Sequence, residues 1–105
     1  MNTLVENFEG FDIYFEELPE EQDVYSYLRI ELGWTEKEAN EYTGEFFCAR
    51  VSAVKNGIEL ASDYLGTCIY NNVEDFYTTY KDDYYADMRN TVIVEAKEVI
   101  QELLK

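Results

Sequence analysis

Twenty-three Asp and Glu against eight Lys and Arg, with no His, give this 105-residue chain a formal charge of −15. Any fold it adopts must keep those carboxylates in water, because a compact body this anionic repels itself. The chain nevertheless has the means to build a core. Its apolar fraction is 47%, with six Phe, ten Tyr and one Trp, a load of aromatics that disordered acidic tails lack. At this length a single domain buries roughly 65% of its unfolded surface without needing staples. One domain over residues 1–105 is therefore expected.

The charge is lopsided. Residues 1–45 hold 13 acids and two bases, whereas residues 46–105 hold 10 acids and six bases. The first 28 residues contain eight acids and no base at all. Such asymmetry is what a directed electrostatic surface requires. No basic leader followed by an apolar segment opens the chain, and no apolar run approaches the ~18 residues of a membrane span. Cys48 and Cys68 are isolated and lack metal-type spacing, so free thiols in a cytoplasmic protein are expected.

Hydrophobic spacing predicts a mainly α fold, formally α+β: three to four helices and a short N-terminal β-hairpin. Residues 4–8 and 11–15 flank Glu9-Gly10, a two-residue turn in which Gly supplies positive φ. Pairing Phe8 with Phe11 and Leu4 with Phe15 puts four apolar side chains on one face, with Glu6 opposite Ile13 as the misfit. Pro19 suits the first position of a helix over about 19–32, carrying Val24, Tyr25, Leu28 and Leu32 and stopping at Gly33. Thr35 and Glu38 form a capping box for the next. Phe47, Val51, Val54, Ile58, Ala61 and Leu65 step by three and four, which predicts one long helix over about 36–65 running through Asn56-Gly57. The same spacing would serve a homodimer seam through Phe47, Val51, Val54, Ile58 and Leu65. Asn72 and Asp75 can cap a further helix with a row of Phe76, Tyr77, Tyr80 and Tyr84. Lys81-Asp82-Asp83 then breaks the chain before a last helix with Val92, Ala96, Val99, Ile100 and Leu103 inward.

Catalytic chemistry finds little support. Without His there is no Ser-His-Asp or Cys-His arrangement and no imidazole metal ligand. No phosphate-binding glycine motif is present. Asp82, Asp83 and Asp87 cluster, but the EF-hand pattern is absent. A non-enzymatic protein without metal or cofactor is expected. Direct binding to nucleic acid or to an anionic membrane is disfavoured by the sign of the charge.

An anionic surface instead suits a basic partner. Carboxylates three and four residues apart on a helix stand about 5–6 Å apart at Cβ, comparable to the spacing of successive phosphates along a strand. Rows such as Glu38/Glu41/Glu45 and Glu95/Glu98/Glu102, joined by Glu16, Glu17, Glu20, Glu21 and Asp23, could occupy a groove lined by Lys and Arg. Asp82, Asp83 and Asp87 extend the set. Tyr85, Tyr14 and Trp34 fall off the apolar stripes, and Tyr85 and Trp34 are candidate aromatic anchors for a partner.

In size, acidity and lack of catalytic residues the chain resembles the small anti-restriction and anti-CRISPR proteins of phages and mobile elements. The resemblance is one of composition and covers no alignable motif. It implies a stoichiometric inhibitor that mimics nucleic-acid phosphates and blocks a nucleic-acid-binding protein, such as a host defence nuclease. The competing expectation is an adaptor or regulatory module that docks through an aromatic surface.

Overall fold

Asn56 and Gly57 decide the architecture. Both have positive φ, +53° and +77°, the conformation of a two-residue hairpin turn that matches the twist of its flanking strands. The computed structural model describes residues 2–105, and in it the expected helix over 36–65 is replaced by a short helix and a long hairpin. Four strands, β1 (Asn2–Phe8), β2 (Phe11–Pro19), β3 (Glu45–Lys55) and β4 (Ile58–Tyr70), form one antiparallel sheet in the order β1-β2-β3-β4. The mainly α expectation is thereby overturned: about 38% of the chain is strand. The same geometry removes the seam expected through Phe47, Val51, Val54, Ile58 and Leu65. Phe47 and Val51 point into the core, while Ile58 sits exposed beside the turn.

The N-terminal hairpin forms as its sequence predicts, with Glu9 and Gly10 both at positive φ and Phe8 opposite Phe11. A bulge between Leu4 and Glu6 shifts the register beyond that point, so Leu4 faces Tyr14 rather than Phe15. β2 continues through Pro19, which pairs with Phe47, so the helix expected from 19 begins later. Asp23 caps it, accepting from Ser26 N at 3.0 Å, and α1 (Val24–Ser26) runs on as a π-helical turn, Tyr27–Glu31. Gly33, at φ +69°, ends it. The Thr35–Glu38 box forms in both directions, at 3.0 and 3.2 Å, and opens α2 (Glu36–Glu41). A 3-10 turn (Val73–Phe76) and a π-helical turn (Lys81–Tyr85) lead into α3 (Ala86–Leu103). The break expected at Lys81–Asp83 is real: Asp83 leaves helical geometry, at φ −95° and ψ −122°.

Alternation along the strands builds the core. Phe11, Ile13 and Phe15 of β2 and Phe47, Ala49, Val51 and Ala53 of β3 all point to one face, where α3 covers them with Met88, Val92, Ile93 and Ala96. Phe76 closes the far end between Phe15, Phe47 and Tyr70, with ring centroids 5.5–6.3 Å apart. Tyr85 is fully buried in this layer, so it is not the surface anchor its sequence position suggested. Its hydroxyl donates to Glu6 at 2.5 Å, and Arg89 reaches the same carboxylate at 3.4 Å. That is why an acid stands opposite Ile13: Glu6 accepts the bond that makes a buried tyrosine affordable. On the other face, Tyr27 packs on Phe46 near one end, and Glu16, Arg50 and Tyr64 sit side by side across three strands.

Phe76→Ala should cost about 3–5 kcal/mol, since the ring is completely enclosed and its neighbours are too bulky to collapse inward. Urea unfolding of the variant against wild type reads this directly. Alkali should unfold the protein as well. Burial pushes the Cys68 thiol up to about 11 and raises the Tyr85 phenol. Groups raised on folding favour the native state below their unfolded pKa, and that stability disappears as pH climbs through the folded value. The melting temperature should therefore hold near neutrality and fall steadily from about pH 9 towards pH 11.

Candidate functional site

The chain's cations are largely engaged by other groups of the chain. Arg50 binds Glu59 and lies 3.6 Å from Glu16; Arg89 holds Glu6; Lys97 bonds Glu9 at 2.8 Å; Lys105 pairs with Glu102. Arg29 donates to the Trp34 carbonyl at 3.0 Å and Lys55 to the Gly10 carbonyl at 3.5 Å. Six of the eight bases are thus tied down, while only five of the 23 carboxylates have a basic partner among the described residues. The unmatched charge lies on the surface.

It does not lie where the sequence pattern put it. Glu38 is the capping-box residue, and its bonds from the Thr35 backbone and then the Thr35 hydroxyl hold its carboxyl below the ordinary range. Glu41 is exposed at the end of α2, and Glu45 starts β3, so Glu38, Glu41 and Glu45 form no single helical row. Glu16 faces Arg50. Glu20 is structural: its carboxylate accepts from Thr67 N at 2.6 Å and holds that residue at φ +53°. Glu21 is exposed, and Asp23 caps α1. Asp82, Asp83 and Asp87 are exposed, yet the kink at Asp83 takes it off the α3 face that carries Asp87.

Two anionic features survive. Along the solvent side of α3, Asp87, Thr91, Glu95, Glu98 and Glu102 follow one another by three and four residues and are all exposed. At 1.5 Å per residue this ridge is about 22 Å long. Glu95, Glu98 and Glu102 stand on one exposed face of the helix, with Glu102 paired to Lys105. At the end of the sheet away from the hairpin turns, Glu17, Glu45 and Glu74 share a groove of about 390 Å³ with Thr3, Asn72 and Tyr77.

Beside that groove lies a half-open cavity of about 440 Å³ walled by Trp34, Tyr42, Tyr70 and Tyr80, with Ile69, Asn71, Asp75 and Asp83 completing its lining. Four separate elements build it. Trp34 is fixed between α1 and α2 by its own N–H to Leu28 O and by Arg29 on its carbonyl. Its indole meets Tyr42 edge-on, centroids 5.9 Å apart. Tyr42 donates to the Glu45 carbonyl at 2.7 Å, and Tyr70 tilts against Tyr80 at 5.6 Å. Burial and then the Glu45 carboxylate raise the Tyr42 phenol; burial, then the neighbouring Cys68 thiol and the Asp83 carboxylate, push Tyr70 up to about 12. Both rings are neutral across the physiological range.

Trp34, chosen from sequence as an anchor, is in this wall. Tyr42, Tyr70, Tyr80 and Asp75 were not singled out as its partners, because they meet only through tertiary packing. No helix among the described residues is long and apolar enough to cross a membrane, and no group of three side chains there is arranged to hold a metal ion. Comparison with family models, with curated proteins and with solved structures returns no match.

A glycine at 44 gives Tyr42 its place. A Cβ there would stand 2.5 Å from the Tyr42 hydroxyl. Gly44→Ala should therefore push the phenol off the cavity wall and uncover the indole. Trp34 is the sole tryptophan, so its emission reports the change: a red shift in the variant, with little change in melting temperature.

Proposed function

We propose that this protein is a non-enzymatic, acidic inhibitor that occupies the phosphate-binding surface of a basic nucleic-acid-binding protein, a host defence nuclease being the target class its composition suggests. The observation that carries this reading is the balance of charge: six of the eight cations are engaged by groups of the chain itself, while 18 of the 23 carboxylates have no basic partner among the described residues. The α3 ridge supplies regularly spaced carboxylates on a rigid element, the presentation a phosphate mimic needs. The molecule is also a rod, 57 × 22 × 22 Å, as long as about 17 base pairs of duplex. Its two free thiols suit a reducing compartment, and the cytoplasm is the setting we assign.

A second reading, an adaptor that docks through aromatic side chains, is favoured by the cavity beside Trp34. Salt separates the two, since a mimic is held by many ion pairs and an apolar dock by burial. The test starts from affinity capture on the immobilised protein, followed by labelled duplex DNA and RNA competition against each captured partner. The mimic reading expects partners that lose affinity steeply with salt and release nucleic acid stoichiometrically. Glu95→Lys, Glu98→Lys and Glu102→Lys together should weaken binding by about tenfold or more. A partner that keeps its nucleic acid in the complex, or stays bound through high salt, overturns it.

A further inference from the structure

We propose that the cavity walled by Trp34, Tyr42, Tyr70 and Tyr80 is a receptor for a guanidinium group, the side chain of an arginine presented by another protein. This deepens the reading above by naming the residue type that enters one site, and it rests on that reading only for the identity of the protein that presents it.

The ligand class follows from what lines the space. The four aromatic rings are tilted against one another, Trp34 and Tyr42 by 78° and Tyr70 and Tyr80 by 54°, so electron-rich faces of more than one orientation border the space. Asp75 and Asp83 add two carboxylates to the same wall, and no Lys or Arg lines it. A planar cation with several N–H donors satisfies both kinds of wall at once, stacking on a ring and donating in its plane to the carboxylates. Quaternary ammonium would use the rings but leave the carboxylates without a donor. Lysine would meet the carboxylates, but its compact ammonium is strongly hydrated and stacks poorly. The volume, about 440 Å³, is that of an ordinary small-ligand pocket and accommodates the head with its alkyl stem.

The site is also built before the ligand arrives. Tyr80 N donates to Asp75 O at 2.9 Å, and Asp83 N to Tyr80 O at 3.0 Å, so three wall residues are stitched to one another through the backbone. Thr79 donates to the Asp75 carboxylate at 3.3 Å, leaving its other oxygen uncommitted. Fixed walls reduce the ordering cost of binding. Lys81, next to Tyr80 in the chain, lines a different cavity with Leu4, Val5 and Glu6, and Arg29 is engaged on the Trp34 carbonyl.

The experiment titrates the intact protein with N-acetyl-arginine amide, N-acetyl-lysine amide and tetramethylammonium, reading Trp34 emission and backbone amide shifts by NMR. Arginine amide should saturate with a dissociation constant near the millimolar range, about tenfold below that of the lysine compound, with shifts centred on residues 34, 42, 70, 75, 80 and 83. Asp75→Asn with Asp83→Asn should weaken it about tenfold or more with little change in melting temperature, since Asp83 is exposed and the half-buried Asp75 accepts only from Thr79, a bond the Asn side-chain oxygen can still accept. Absence of saturation, equal affinity for lysine, or tighter binding of tetramethylammonium overturns the proposal. The triple α3 charge reversal should leave this titration unaltered. Loss of arginine binding alone would thus sink the cavity assignment, and loss of salt-sensitive, competitive partner binding alone would sink the mimic.

Discussion

One apolar layer between the sheet and α3 holds together a surface that repels itself. A domain is stable by some 5–15 kcal/mol, and deleting one large core side chain removes several of those. Fifteen uncompensated charges act against that small margin, so the few cations go where they join elements. Arg89 on Glu6 and Lys97 on Glu9 anchor α3 to β1 and to the turn after it. Arg50 on Glu16 and Glu59 ties β2 and β4 to β3. The guanidinium of Arg89 also lies 4.0 Å over the Phe8 ring, adding to the same seam. Few bases remain unengaged, and the excess of 23 acids over eight bases leaves the surface anionic.

The sequence misled most where two periodicities coincide. Phe47, Val51, Val54, Ile58, Ala61 and Leu65 fit a helix by steps of three and four. Steps of four also preserve the parity of a strand, so Phe47 and Val51 share the inward side of β3, and Ala61 and Leu65 sit opposite Ala53 and Ala49. Only Val54 and Ile58 break the parity, and they flank the turn. Asn56-Gly57 was the deciding signal, a local backbone preference that outranks a stripe. The inward alternation Phe47-Ala49-Val51-Ala53 was muted because alanine favours helices as well as filling a crowded sheet. By contrast, the Glu9-Gly10 turn, the Thr35–Glu38 box, the break at Asp83 and the last helix were legible, since each rests on neighbours in sequence.

The site was legible only in pieces for the same reason. Glu95, Glu98 and Glu102 lie on one helix, and their row could be read directly. Tyr85 could not be placed, because its burial depends on Glu6, 79 residues away in the chain. Glu20 looked like one more surface acid, yet it serves the strained backbone at Thr67. The cavity draws on the α1–α2 connection, the end of α2, the end of β4 and the loop before α3, and no window of sequence contains more than part of it.

Under the proposed function, the ridge and the cavity divide the work of recognition by range. Exposed charges are felt over about a Debye length, 8–10 Å at physiological salt, so they gather and orient a basic surface without choosing among basic surfaces. A ring-lined pocket acts only at contact, but it distinguishes a planar, weakly hydrated cation from a compact, well-hydrated one. A protein with the ridge alone would bind any polycation, and one with the pocket alone would bind too weakly to compete with nucleic acid. Under the proposed function each supplies what the other lacks. The rigid sheet end, which fixes Tyr42 and Tyr70 relative to the start of α3, then sets the distance at which a partner's arginine must stand from its phosphate-binding surface.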